Sequence, residues 1–507
     1  MKNGLLASVA LTAIIGSASV AHAEPAPSNE ELAKEVKELQ AQVQELTAAL
    51  KQRPVATAAA YDAAPAPAPP SGTTDDETVG GGAKDIKTTI APPSLRLDGA
   101  LRAADAFGDS FRVQGRILID AVAENVSHKN NQFAGQTRVA DYHASNVRGR
   151  QVQIGASGDL GPKFSYLLEG GWQNGAAAQW AYAYVQYKFS PGNSLIVGNN
   201  KVVGIENITS EKYRTFMDAG PYGDLTDTSY VLSAAYVHSS EKWTFTAALQ
   251  GASLNNPDVT AGALGSTSAS ERLSESVRGT WIPINTPTQK LHLGLWARYR
   301  ERGGEGGLAY TAWPDTNFHS ENQGGGSLMS AGAVGDADLT MAGEFAYVNG
   351  PLMLQAEAAN MHVDRISTAQ SATLGGPDFD IHTAYALISW SPTGEVKNYL
   401  HSGQFGRTTV LHPVDKGGIG GFEVAARWSF ADLTDFKANT VSPPASQTSF
   451  ATAGRYNAGT FALNWYPISY VKFAANYTFG SITNRQVGNL KNDAKVNVFQ
   501  LRSQVDF

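Results

Sequence analysis

Between Lys201 and Asp224 the chain crowds Glu206, Glu211, Lys212, Arg214 and Asp218 into one short segment. Opposite fixed charges in a segment folded into a confined space create a transverse field and a size filter. In that arrangement Lys201, Lys212 and Arg214 are the groups that would meet an anion. The competing reading of the same residues is an ordinary solvated loop. A second set of charges is spread along the chain: Arg112, Arg116, Arg278, Arg298, Arg300, Arg427 and Arg502, together with Asp120, Glu124, Glu169, Glu344, Glu357, Glu423 and Asp506. Catalytic motifs are missing from the sequence. It holds no nucleophile elbow, phosphate-binding glycine loop or zinc helix motif. The 10 histidines are scattered, and although His401 and His412 fall near one loop, none has metal-ligand spacing. Cysteine is absent, which removes thiolate ligands and nucleophiles. No enzyme, cofactor or metal is implied.

The spread-out charges sit on segments with a period of two. At the C-terminus Phe499, Leu501, Ser503, Val505 and Phe507 alternate with Val498, Gln500, Arg502, Gln504 and Asp506. Over 110–125, Phe111, Val113, Ile117 and Ile119 alternate with Arg112, Gln114, Arg116 and Asp120. The segments 291–300, 422–430 and 471–479 repeat the theme, with Arg298, Arg300, Glu423, Arg427 and Lys472 on the polar parity. A charge facing lipid at the bilayer midplane costs roughly 2–4 kcal/mol, so this segregation fits strands with lipid on one side and water on the other. A strand at the edge of a soluble sandwich is the alternative for any single segment. Aromatic residues near strand ends (Trp180, Tyr182, Tyr184, Tyr187, Trp390, Trp465, Tyr466 and Tyr470) fit interfacial girdles, although not all have the outward parity. At about 10 residues per strand plus alternating turns and loops, some 400 residues make roughly 16 strands. The expected fold is all-β, a transmembrane antiparallel barrel over 96–507 with a water-filled interior.

The N-terminal part reads differently. Residues 1–23 have the pattern of a secretory signal peptide, with Lys2, an apolar run from Leu5 to Ile15, and the small-x-small site Ala21-His22-Ala23. Residues 24–53 form a coiled-coil stem: Ser28-Asn-Glu-Glu31 is a capping box, and Leu32, Val36, Leu39, Val43, Leu46 and Leu50 make a heptad seam that Pro54 ends. Residues 54–95 are a Pro/Ala/Gly-rich linker without a core of its own. No apolar run approaches the length of a membrane-spanning helix. A net charge of -7 gives no support to a nucleic-acid partner. These features place the stem in the periplasm and the barrel in the outer membrane of a Gram-negative cell, with lipid and small solutes as partners and cell-wall contact through the stem.

From Phe111 onward the chain resembles the phosphate-selective porin O and P family. The resemblance is carried by Val113–Asp120, by Ser194–Lys201 with Gly204–Asp218, by Gly403–Arg407 with Gly420–Ser429, and by Asn464–Tyr466 with Leu501–Phe507. It implies a 16-stranded barrel, a homotrimer and a pore in which arginines guide phosphate. Fixed guanidinium forks suit that task, because they replace the water an oxyanion loses. This chain departs from the pattern at Gln151 and Gln153, where relatives tend to show arginines, and lacks a proline shortly after Lys201. The expected function is passive diffusion of small hydrophilic solutes and ions, with an anion or phosphate preference. A non-selective pore, a sugar-preferring pore and a barrel acting mainly as a cell-wall tether are the alternatives. A sugar track would need stacked aromatics, and Trp296 alone has the right parity.

Overall fold

The computed structural model describes residues 96–97, 101–104, 109–128, 141–173, 177–227, 229–255, 273–303, 306–316, 329–371, 374–438, 450–487, 490–491 and 493–507. The signal peptide, stem and linker read from the sequence lie outside them.

Sixteen antiparallel strands close into a barrel. They are β1 (Ser110–His128), β2 (Tyr142–Leu160), β3 (Phe164–Gln173), β4 (Gln179–Ser190), β5 (Asn193–Asn200), β6 (Val231–Ser239), β7 (Trp243–Gln250) and β8 (Leu273–Asn285). The second half is β9 (Gln289–Glu301), β10 (Met329–Asn349), β11 (Leu352–Arg365), β12 (Phe379–Trp390), β13 (Gly421–Asp432), β14 (Arg455–Ile468), β15 (Val471–Thr483) and β16 (Ala494–Asp506). Each strand pairs with its sequence neighbour, and β16 returns to β1 with Arg502 opposite Asp120. Closure leaves no sheet edge for lipid to meet. Phe507 completes the seam: its N–H donates to Gly115 O (3.0 Å) and its carbonyl accepts from Gly115 N (2.9 Å). A Cβ at Gly115 would lie 2.7 Å from the Phe507 ring, so only glycine lets the terminal aromatic lie flat on β1.

The two faces follow the sequence alternation. Outward positions are exposed and apolar, including Ile117, Val152, Val197, Leu295, Met341, Phe461 and Phe499. Inward positions such as Gln114, Thr340, Glu357, Lys472 and Gln500 are buried. Turns at 161–163, 191–192, 240–242, 286–288, 350–351 and 469–470 are short, which marks the periplasmic end. Rings gather there on the outer face. Phe164 meets Tyr187 at 4.9 Å, Phe189 meets Tyr236 at 6.2 Å, and Trp465 lies between Phe422 (6.2 Å) and Phe473 (5.6 Å). Tyr184 and Tyr466, from the sequence set, face inward and are buried.

Candidate functional site: an inward loop and the wall it faces

Residues 201–230 join β5 to β6 and turn into the lumen. Two short helices, α1 (Ile205–Ile208) and α2 (Gly220–Thr226), stiffen the loop. Pro221 fits the first turn of α2, where its missing N–H costs nothing. Bonds from strands around the barrel pin the loop. Glu357 on β11 accepts from Ile205 N (2.9 Å), Glu206 N (2.8 Å) and Tyr222 Oη (3.1 Å). On β14, Asn464 donates to Thr215 O (2.8 Å), and on β15 Lys472 donates to Arg214 O (2.8 Å). On β16, Gln504 donates to Lys212 O (2.9 Å). Arg298 on β9 donates to Thr226 O (2.5 Å), placing a cation at the carbonyl end of α2.

Two further connections fold inward. Asp315, in the β9–β10 connection, accepts from Arg427 (2.5 Å), Ser429 (2.7 Å) and Tyr456 (2.9 Å). The β12–β13 connection, 391–420, lies at the end where other turns are short. Within it Tyr399–Leu400 pairs with Gln404–Phe405. Arg278 donates to Ser402 O (2.8 Å) and Gly403 O (3.0 Å), and Arg407 pairs with Asp506 (2.5 Å). Phe405 N donates to Thr209 Oγ1 (3.2 Å), so this connection touches the 201–230 loop. The Gly403–Arg407 segment, which the family resemblance groups with the late strands, thus belongs to an inward connection and not to the barrel wall.

What these segments leave open is a cavity of about 420 Å³ between the 201–230 loop and the β1–β4 wall. Arg116, Arg150, Gln151, Gln173 and Tyr182 line the wall side. Glu211, Arg214, Asp218, Asp224, Asp227 and Lys201 line the loop side.

Residues 113–507 match the model of the family described as phosphate-selective porin O and P. The chain belongs to this porin family. It is an outer-membrane channel. A protein of Caulobacter vibrioides described as uncharacterized is 25% identical over 432 residues, covering 83% of this chain and 78% of that one. Among solved structures, an anion-selective porin from Comamonas acidovorans is 13% identical, with TM-score 0.44, over 79% of this chain and 100% of that one. The outer-membrane channel DcaP of Acinetobacter baumannii is 10% identical, with TM-score 0.43, over 79% and 98%. At these values the likenesses carry nothing about solute or assembly.

In this porin the residues singled out in the sequence have different placements. Arg116, Lys201 and Arg214 line the cavity. The others lie off its lining. Arg278 grips Glu344 (2.7 and 2.8 Å), Arg300 grips Asp338 (3.0 Å), and Arg502 grips Asp120 (2.7 and 2.8 Å) and Glu211 (3.0 Å). Arg298 and Arg427 hold α2 and the β9–β10 connection, as above. Glu423 accepts from Lys397 (2.9 Å), Asn464 (3.0 Å) and Tyr466 (2.9 Å). Arg112 is half-buried on β1. Lys212 is buried over the Tyr213 ring at 4.9 Å, turned from the cavity.

Arg150 escaped the sequence reading. Strict alternation from Gln151 and Gln153 sends it to lipid. The pairing instead runs Ile119 with Gly149 and Leu118 with Gln151, leaving Arg150 as the extra residue of a β-bulge. Arg150 and Gln151 therefore both turn inward and are buried. The available signal was polar side chains on both parities, Arg148 and Arg150 on one and Gln151 and Gln153 on the other. Arg150 reaches Glu211, whose carboxyl titrates well below the ordinary range. Burial would raise it, but Arg150, Arg502, Arg214 and Arg116 together lower it to about 2.

Proposed function

We propose that this porin is a passive route for small hydrophilic solutes and ions, with residues 201–230 as its constriction. The observation that carries the reading is the position of the cavity. It lies inside the lumen, bounded by the loop on one side and strand side chains on the other. A narrow passage lined by fixed charges filters by size and by sign. The charged clusters serve passage of solutes and not catalysis.

The test is single-channel recording of the full-length protein in planar bilayers. Discrete conductance steps are expected. Arg214→Ala, on the cavity, changes ion selectivity, whereas Lys212→Ala, off it, leaves selectivity unchanged. Absence of steps would refute the reading, as would unchanged selectivity in Arg214→Ala.

A second reading, anion or phosphate preference, is favoured by Arg116 and Arg150 sharing one wall of the cavity. The proposal extends to a homotrimer in lipid, with residues 24–53 as a periplasmic stem that meets the cell wall. The heptad seam supports self-association through the stem, and the family resemblance supports three copies.

A further inference from the structure

On the outer face of β11 the side chains change character along the strand. Leu354, Ala356 and Ala358 are apolar, and Asn360, His362 and Asp364 follow on the same parity. The strand starts at the short turn 350–351, so His362 and Asp364 lie at its extracellular end, above the apolar band. Asp378, one residue before β12, closes on them. One ligand atom each from His362, Asp364 and Asp378 lie within 4.8 Å of one another. Asp378 is held there by the Arg365 backbone N–H, which donates to it at 2.9 Å. Across the strand pair, His362 Nδ1 donates to Asp380 Oδ1 at 2.9 Å, which leaves the lone pair on Nε2. Nε2 lies 3.7 Å from Asp364 Oδ1, so two acceptors face each other. Among the described residues, no lysine or arginine side chain pairs with Asp364, Asp378 or Asp380.

We propose that His362, Asp364 and Asp378 bind one divalent transition-metal ion of the zinc class, taken from the external medium. Neutral imidazole nitrogen and carboxylate oxygen are both zinc ligands. The imidazole favours zinc or nickel over magnesium and calcium, which prefer shells of oxygen alone. Ligand atoms on one zinc ion stand at most roughly 4 Å apart, so a small rotation of these exposed side chains draws the set together. Asp380 is the outer partner. A carboxylate on the far ring nitrogen fixes the tautomer and makes Nε2 a stronger ligand. The ion also offsets the repulsion among three carboxylates that have no ammonium or guanidinium beside them. It ties the end of β11 to the residue that leads into β12, on the outer rim and away from the lumen. The histidines show no metal-ligand spacing among themselves; strand pairing supplies the carboxylates that complete the set.

The experiment is calorimetric titration of the full-length, untagged protein in detergent with Zn2+, followed by X-ray absorption of the loaded protein. The expected results are saturation at a single ion per chain, retained in excess Mg2+, and an imidazole in the zinc shell. His362→Ala and Asp378→Asn weaken binding by about tenfold or more, and Asp380→Ala weakens it about 10–100-fold through the ring alone. His412→Ala, at an exposed histidine of the β12–β13 connection, leaves binding unchanged. Heat-modifiable mobility on SDS gels reports the barrel in each variant, and Asp364→Asn replaces any variant that fails to form it. Absence of saturable binding in the wild-type protein overturns the proposal. So does a zinc shell without imidazole. Binding that survives in both His362→Ala and Asp378→Asn means an adventitious ion only, and overturns it as well.

Discussion

The Arg150 guanidinium on β2 donates to the Glu211 carboxylate of the inward loop at 2.9 Å, across 61 positions of sequence. It does so because a bulge turns the β2 side chain inward one position early. A one-residue irregularity in a strand thus sets where the loop rests, and with it the charge on both sides of the cavity. Gln151 donates to the same carboxylate oxygen at 2.7 Å, so both residues of the bulge hold the loop.

Deleting Arg150 removes the unpaired residue of that bulge. Regular pairing of Ile119 and Leu118 with Gly149 and Gln151 then continues without displacing the rest of β2. The barrel is expected to form, with its heat-modifiable mobility on SDS gels retained. The loop loses one charge-assisted bond, worth about 1.5–3 kcal/mol. Open-channel current noise is expected to rise, and a quiet channel would count against the coupling.

Glu357 holds α1 by accepting two backbone N–H groups, with Tyr222 and Tyr385 (2.6 Å) as further donors. In Glu357→Gln one oxygen becomes an amide that points its hydrogens at donors. The backbone N–H that then faces the amide, of Ile205 or of Glu206, is buried and unsatisfied, at a cost of about 1–3 kcal/mol, whereas a tyrosine hydroxyl can turn to accept. Trypsin is expected to cut at Lys212 or Arg214 in this variant and not in the wild-type protein, while circular dichroism shows the same strand content.

Gly220 begins α2 with φ of 68°, and a Cβ there would stand 2.4 Å from Asp315 Oδ1. Gly220→Ala carries roughly 1–2 kcal/mol of left-handed strain. It also pushes Asp315 from Arg427, so the β9–β10 connection and the loop separate. Conductance is expected to rise, since both segments occupy the lumen. Unaltered conductance would show that they do not limit flow.

The pH dependence follows from Glu211. Its carboxyl is lowered from 4.5 to about 2 in the folded chain. A depressed acid stabilises the fold fully above its unfolded value, and that contribution is lost as pH falls from 4.5 towards 2. The bond from Arg150 to the loop therefore persists through mildly acid solution. Ion selectivity is expected to hold its neutral-pH dependence on Glu211→Gln down to about pH 4, and to lose it near pH 2. A midpoint near 4.5 would mean that Glu211 is not held by its arginines.

Strand character and sidedness were legible in the sequence because lipid and water impose opposite costs on alternate residues. Phe499, Leu501 and Val505 outside, with Gln500, Arg502 and Gln504 inside, could be assigned from spacing alone. So could the inward direction of Arg116, Arg278, Arg427 and Glu423. The charge density of 201–224 marked the loop. What spacing could not carry was partnership. Whether an inward arginine faces solute or clamps a segment depends on which residues arrive opposite it, and those come from 38 to 382 positions away, as Asp338 for Arg300 and Asp120 for Arg502 do. The bulge at Arg150 is likewise a decision of pairing, since a period-two pattern admits a phase change at any polar pair. The amino-acid order thus determined a two-faced barrel with an unusually charged loop. The tertiary structure decided which charges are spent on holding that loop and which remain at the passage, because electrostatic compensation acts through space and alternation acts only along the strand.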